Sequence, residues 1–166
     1  LGIANYGDSN KTTVSGSITT AGDYAYGIYN YGDTNITTVS GSITTTGDGA
    51  YGISNYGSDN TTTVLEAGRI TTAGDSAYGI LNFGDSNKTT VSGSITTTAG
   101  DSAHGIENDG DTNITTVLEA GSITTAGDSA YGIYNYGDTN TTTVSGSITT
   151  AGDYAYGIFN FGDTNT

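Results

Sequence analysis

The stretch AYGIYNYGDTNITTVSGSITTTGD, Ala25 to Asp48, contains three short runs, AYGIYNY, NITTVS and SITT, separated by Gly-Asp and Ser-Gly. Thr, Ile, Val and Tyr favour strands, whereas Gly-Asp and Ser-Gly form turns. Thr, Gly, Asn and Asp are weak helix formers. The stretch also recurs. Gly-Ile pairs begin at Gly2, Gly27, Gly52, Gly79, Gly105, Gly132 and Gly157, at spacings of 25, 25, 27, 26, 27 and 25. Three strands per unit and no helix predict one coil of a β-solenoid. The expected fold is all-β, a parallel β-solenoid of roughly 6.5 coils forming a single repeat domain over residues 1–166. Two units replace Val-Ser-Gly with Val-Leu-Glu-Ala-Gly, at Leu65–Gly68 and Leu118–Gly121, and one adds a residue near Thr98-Ala99. Insertions confined to two fixed places mark those places as corners.

Composition narrows the function classes. The 166 residues include 33 Thr, 27 Gly, 14 Asn and 14 Asp, with no Cys, Met, Trp or Pro. Without Cys there is no disulfide framework or thiolate metal site. No apolar stretch reaches the length of a transmembrane helix. Three cations against 17 acids, a net charge of −14, cannot build the basic face that nucleic acid requires. High charge with low hydrophobicity would suggest disorder, but the regular repeat argues against it.

Variation among the units separates inside from outside. The residue after Ile is Ala4, Tyr29, Ser54, Leu81, Glu107, Tyr134 or Phe159, so this slot is expected to face out and its neighbours Ile28 and Asn30 inward. In the second run the variable slot is Lys11, Ile36, Thr61, Lys88, Ile114 and Thr141, which sends Asn35, Thr37 and Val39 inward. In the third, Ile43 and Thr45 face in while Ser42 and Thr44 face out. All Asn residues fall in two columns. One is Asn5, Asn30, Asn55, Asn82, Asn108, Asn135 and Asn160; the other is Asn10, Asn35, Asn60, Asn87, Asn113, Asn140 and Asn165. Stacked ~4.8 Å apart, identical amides are expected to bond along the axis as ladders. Such ladders would satisfy buried polar groups that otherwise cost roughly 1–3 kcal/mol each.

The phrases GSITTAGDYAYGI (Gly146–Ile158) and GSITTTGDGAYGI (Gly41–Ile53) resemble repeats in the passenger domains of bacterial autotransporters, and the resemblance covers the whole chain. It implies a right-handed parallel β-helix, extracellular at a Gram-negative cell surface, usually serving adhesion. Neither end carries a distinct polar capping unit, so the expectation is a segment of a longer solenoid or ends that stack on neighbouring subunits.

Four surface features are candidates for function. Asp23, Asp48, Asp75, Asp101, Asp128 and Asp153 form an acidic column, and Asp8, Asp33, Asp85, Asp111, Asp138 and Asp163 form a second, with Asp59 displaced by one residue in the third unit. Calcium bridging between coils and simple turn chemistry both fit the carboxylates; the glycine-rich calcium nonapeptide is absent. Outward Thr19, Thr44, Thr71, Thr96, Thr124 and Thr149 form a flat rank like those of ice-binding proteins, interrupted in the flanking Ser rank by Arg69. Tyr6, Tyr31, Tyr56, Phe83, Tyr136 and Phe161, beside Tyr29, Tyr134 and Phe159, form an aromatic band suited to contacts with proteins or glycans. Glu107 and Asp109 interrupt this band, with His104 in the neighbouring Tyr column. His104 lacks the partners that nucleophilic or acid–base chemistry needs.

The sequence therefore reads as a non-enzymatic structural solenoid. It is expected to be a segment or subunit of a surface fibre or adhesin, with no cofactor beyond a place for calcium. Its expected partner is itself, or a host or cell-surface glycan or protein. The alternatives are an ice-binding protein using the Thr face, or a monomeric glycan-binding adhesin.

Overall fold

A computed structural model describes residues Leu1–Thr166. Nineteen short strands follow one another with no helix between them, and so no helix is long and apolar enough to cross a membrane. The first coil holds β1 (Ile3–Asn5), β2 (Lys11–Val14) and β3 (Ser17–Ala21), and the second β4 (Ile28–Asn30), β5 (Ile36–Val39) and β6 (Ser42–Thr46). The third holds β7 (Ile53–Asn55), β8 (Thr61–Val64) and β9 (Arg69–Ala73), and the fourth β10 (Ile80–Asn82), β11 (Lys88–Val91) and β12 (Ser94–Thr97). The fifth holds β13 (Ile106–Asn108), β14 (Ile114–Val117) and β15 (Ser122–Thr125), and the sixth β16 (Ile133–Asn135), β17 (Thr141–Val144) and β18 (Ser147–Thr150). β19 (Ile158–Asn160) completes the series.

Each strand pairs in parallel with its equivalent one coil away, so the chain is a β-solenoid with three strands per coil. A first sheet stacks β1, β4, β7, β10, β13, β16 and β19. A second stacks β2 through β17, and a third β3 through β18. Register never slips: Ile lies on Ile, Asn on Asn, Val on Val. The corners absorb the insertions. Leu65–Gly68 and Leu118–Gly121 bulge between the second and third sheets, each closed by a Gly N–H donating to a Leu carbonyl at 2.7 and 2.8 Å. Arg69 still pairs with Ser94 beyond the bulge.

The core is a column of Ile28, Val39, Ile43 and their equivalents, from Val14 to Ile133. It is thin because each coil turns only three branched aliphatic side chains inward. Close approach replaces bulk: a Cβ on Gly79 would sit 2.3 Å from Ile95 Cγ2 and 2.5 Å from the Gly105 carbonyl oxygen, so only Gly fits there.

Polar side chains fill the rest of the interior, and the two Asn columns do so differently. In the first, each Nδ2 donates to Oδ1 of the next Asn at 2.7–2.8 Å. It also donates to the Thr Oγ1 seven residues on, at 3.0–3.1 Å. This is an amide ladder. In the second column the amides do not bond to one another, which corrects the expectation of two like ladders. There Nδ2 closes its own turn onto the Gly carbonyl three residues back, as in Asn35 to Gly32 at 2.7 Å. The Oδ1 accepts the main-chain N–H of the preceding coil's Asn at 2.6–2.8 Å. The reason is position: the first column lies within strands whose main chain is already paired, the second at a turn where an N–H and a carbonyl are unpaired. Inward Thr of the third sheet acts similarly, Thr45 Oγ1 donating to the Ala50 carbonyl at 2.5 Å and Thr72 to Ala77 at 2.6 Å.

Candidate functional site

The outer side of the first sheet carries the aromatic residues other than Tyr24 and Tyr154, with His104, in three adjacent columns. The column before the strand is the tightest. Tyr26, Tyr51, Tyr78, His104 and Tyr131 stack with ring centroids 4.9, 4.9, 5.1 and 4.7 Å apart and planes within 1–10°. The column after the strand includes Tyr31, Tyr56 and Phe83, where Tyr56 and Phe83 stack at 4.7 Å, and Tyr136 and Phe161, which stack at 5.3 Å. Sequence reasoning placed the aromatic surface in the middle and last columns and named the first only as the Tyr column that His104 enters. The signal was present in the Tyr-Gly-Ile of five of the seven units, with Leu1 and His104 in the other two, but a Tyr before Gly-Ile reads as the entry to a strand.

Between these columns lies the variable slot, and here the expectation needs correcting. Ser54 and Leu81 sit on the outer side yet are 0% and 5% exposed, and Glu107 is nearly covered as well. The slot tolerates variety because rings on both sides roof it, not because it faces water. Of the residues assigned to surface contact, Tyr31, Tyr136 and Phe161 are exposed, whereas Tyr29, Tyr134 and Phe159 are half-buried beneath them. Tyr29 lies 5.6–6.1 Å from Tyr6, Tyr26, Tyr31 and Tyr56, and Tyr134 packs against Tyr131, Tyr136 and Phe159.

The fifth coil replaces three aromatic or apolar positions with titratable ones. His104 takes a Tyr place in the stack, and its Nδ1 accepts the Tyr131 main-chain N–H at 2.9 Å. Its Nε2 lies 3.8 Å from Glu107 Oε2. Burial lowers the His104 pKa to about 4, so the ring is neutral at pH 7. Burial raises Glu107 to about 7; Asp109 adds repulsion, and the influence of the neighbouring Tyr78 hydroxyl opposes both. Asp109 is raised by its own burial. Glu107 Oε2 is buried with no hydrogen-bond partner, as is Ser54 Oγ. Burial also lifts the phenols, Tyr51 to about 12 and Tyr78 further, with Glu107 as the next cause at Tyr78.

The two Asp columns border this face, one in the turn leading into the first sheet and one in the turn leaving it. Every column Asp is exposed. In the column Asp23, Asp48, Asp75, Asp101, Asp128 and Asp153, each Oδ1 accepts the N–H of the next coil's Asp at 2.8–3.2 Å. The Asp8 column does the same at 2.7–2.9 Å. In the third coil Ser58, not Asp59, takes the bonding place, donating to Asp33 from its N–H and accepting Asp85 N–H at 3.3 Å. Asp59 moves into the neighbouring position, which is left-handed in every coil. That position holds Thr34, Thr112, Thr139 and Thr164, an unfavourable geometry for a β-branched residue, and Ser9 and Ser86 in the remaining coils. It is held by a main-chain bond to the adjacent coil, such as Thr34 N–H to the Ser58 carbonyl at 3.0 Å. No group of three or more carboxylate or imidazole side chains converges into a metal site.

The Thr rank of the third sheet runs in register from Thr19 to Thr149. In the flanking Ser rank Arg69 reaches along the axis to Ser94 Oγ at 3.5 Å. A second outward rank, Thr13, Thr38, Thr63, Thr90, Thr116 and Thr143, runs along the second sheet. No family model, curated protein or solved structure matches the chain.

Proposed function

We propose that this chain is an extracellular structural solenoid, a segment or subunit of a bacterial surface fibre or adhesin that self-associates by coil-on-coil stacking and by lateral contacts of its aromatic face. The supporting observation is the identity of the steps. Each coil offers one neighbour the same main-chain, Asn and Asp bonds that it takes from the other. Such a stack lengthens without any new kind of contact, within one chain or between chains. The resemblance of Gly41–Ile53 and Gly146–Ile158 to autotransporter passenger repeats favours the cell surface. The exposed rings at Tyr31, Tyr136 and Phe161 supply the apolar area that lateral contact needs.

Electron microscopy of the purified chain tests the proposal. Filaments with a ~4.8 Å axial repeat are expected, and Tyr31→Asp with Tyr136→Asp should abolish their lateral bundling. Discrete rods about 30 Å tall at every concentration, with or without calcium or a chelator, would overturn self-association.

A further inference from the structure

The aromatic face is bounded on both sides by carboxylates. Twelve exposed Asp residues form the two borders. No Lys or Arg pairs with any of them; the one close acid–base contact in the molecule is that of His104 with Glu107. The chain's own cations, Lys11, Lys88 and Arg69, lie on the second and third sheets. The face therefore carries a large uncompensated negative charge around an apolar floor.

Within that floor the fifth coil adds two further acids, each between rings or apolar side chains of its column. Glu107 lies between Leu81 and Tyr134. Asp109 lies between Phe83 and Tyr136, each donating its N–H to the Asn of the preceding coil at 2.8 Å. Around them stand His104, Tyr78 and Tyr131. Rings beside carboxylates form the chemical complement of an organic cation: π faces attract it and the carboxylates neutralise it. Neutral His104 does not compete for that role. The roofed Glu107 carboxylate, whose Oε2 has no hydrogen-bond partner, adds its charge from beneath the rings.

We propose that the outer face of the first sheet docks an extended basic segment of another protein, whose guanidinium or ammonium groups engage Asp109 and the Asp columns on either side and lie over the flanking rings that roof Glu107. An extended segment fits because successive side chains project to opposite sides. Laid along the floor, it reaches both acidic borders at once. This deepens the reading of the face as a contact surface and names its partner chemistry.

The groups facing Glu107 set a signature. They are His104, Asp109 and the hydroxyls of Tyr51, Tyr78 and Tyr134. Near pH 7 Glu107 is partly protonated, and a docked cation favours its ionised form. Docking therefore releases a proton, which attraction to exposed carboxylates alone would not do.

The test is isothermal titration of the full chain at pH 7 with an alternating Arg-Ser dodecapeptide, in two buffers of different ionisation enthalpy. An alternating Glu-Ser peptide and a neutral glucan hexasaccharide serve as comparison probes. The Arg peptide is expected to bind, to weaken as salt rises, and to release a proton. Phe83→Ala with Tyr136→Ala, which leaves the charge unchanged, should weaken binding at least tenfold. Glu107→Gln should remove the proton release. Far-UV circular dichroism identifies any variant that loses the fold; the Glu107→Gln measurement and the probe comparison then decide without it. Unchanged binding by folded ring variants, no proton release, or preference for the hexasaccharide would each overturn the proposal. Sedimentation of the protein alone scores assembly separately. Filaments without peptide binding would overturn this inference while leaving self-association standing, and peptide binding without filaments would do the reverse.

Discussion

On the inner side of the first sheet every coil repeats the same two residues, Ile and Asn, from Ile3 and Asn5 to Ile158 and Asn160. On the outer side of the same strands the residue between them is Ala4, Tyr29, Ser54, Leu81, Glu107, Tyr134 and Phe159. Both sides are largely covered, so burial does not explain the contrast. Mutual dependence does. An inner Asn is donor to one coil and acceptor to the other, and a change in one coil strands polar groups in two. An outer residue touches rings through dispersion and tolerates a hydroxyl, a carboxyl or an isobutyl group. The inner side maintains the stack, while the outer side is free to acquire chemistry, as it has in the fifth coil.

The strongest test of this contrast puts one charge in each Asn column of the fourth coil. Asn82→Asp keeps an acceptor for Asn55 but loses the donor to Asn108 and Thr89, leaving a buried carboxylate facing acceptors. A loss of about 3–5 kcal/mol is expected from urea unfolding. Asn87→Asp, equally buried, still accepts the Asn60 N–H and loses one donated bond where Asn82→Asp loses two, so a smaller loss of about 2–3 kcal/mol is expected. Equal losses would mean that the two columns are not distinct.

The inward parity of all three strands was legible in the sequence because seven copies expose which slot varies. The corners were legible for the same reason. The different work of the two Asn columns was not, since both recur at the same period and only turn geometry separates them. The roofed slot was equally hidden: a position accepting Ser, Leu and Glu reads as solvent-exposed unless the rings on either side are known to close over it. The displaced Asp59 was visible, but not that Ser58 would take over the carboxylate's bond to the next coil.

The fifth coil sharpens the contrast through pH. His104 has a folded pKa of about 4 against an ordinary 6.5, so the unfolded chain binds the extra proton between those values and stability rises with pH there. Glu107 has a folded pKa of about 7 against an ordinary 4.5, so the folded chain holds the extra proton and stability falls with pH across that window. In the native chain the two slopes oppose each other between 4.5 and 6.5. Glu107→Gln should expose the His104 rise, and His104→Tyr the Glu107 fall, each by ~3 kcal/mol over its window relative to the native chain. Thermal melts from pH 4 to 8, taken as differences, remove the contribution of the other carboxylates. Parallel curves for all three proteins would refute a buried pair on the outer side.

The smallest expected effect carries the most informative sign. Ser54 Oγ is fully buried on the outer side with no partner, so it bears a desolvation cost without a bond. Ser54→Ala removes that cost and opens a space of only one oxygen. Stability should rise by about 0.5–1 kcal/mol. Thr89, on the inner side, has a hydroxyl that accepts from Asn82 Nδ2 at 3.1 Å. Thr89→Val is nearly the same deletion in shape, yet it leaves an amide proton of the ladder unpaired. Stability should fall by about 1–2 kcal/mol. Opposite signs for two buried hydroxyls, read as melting shifts of roughly 2–4 °C per kcal/mol for a chain of this length, would tie the contrast to hydrogen-bond obligation. If both substitutions destabilise, the outer hydroxyl is partnered after all, and the two sides of the sheet differ in residue type without differing in constraint.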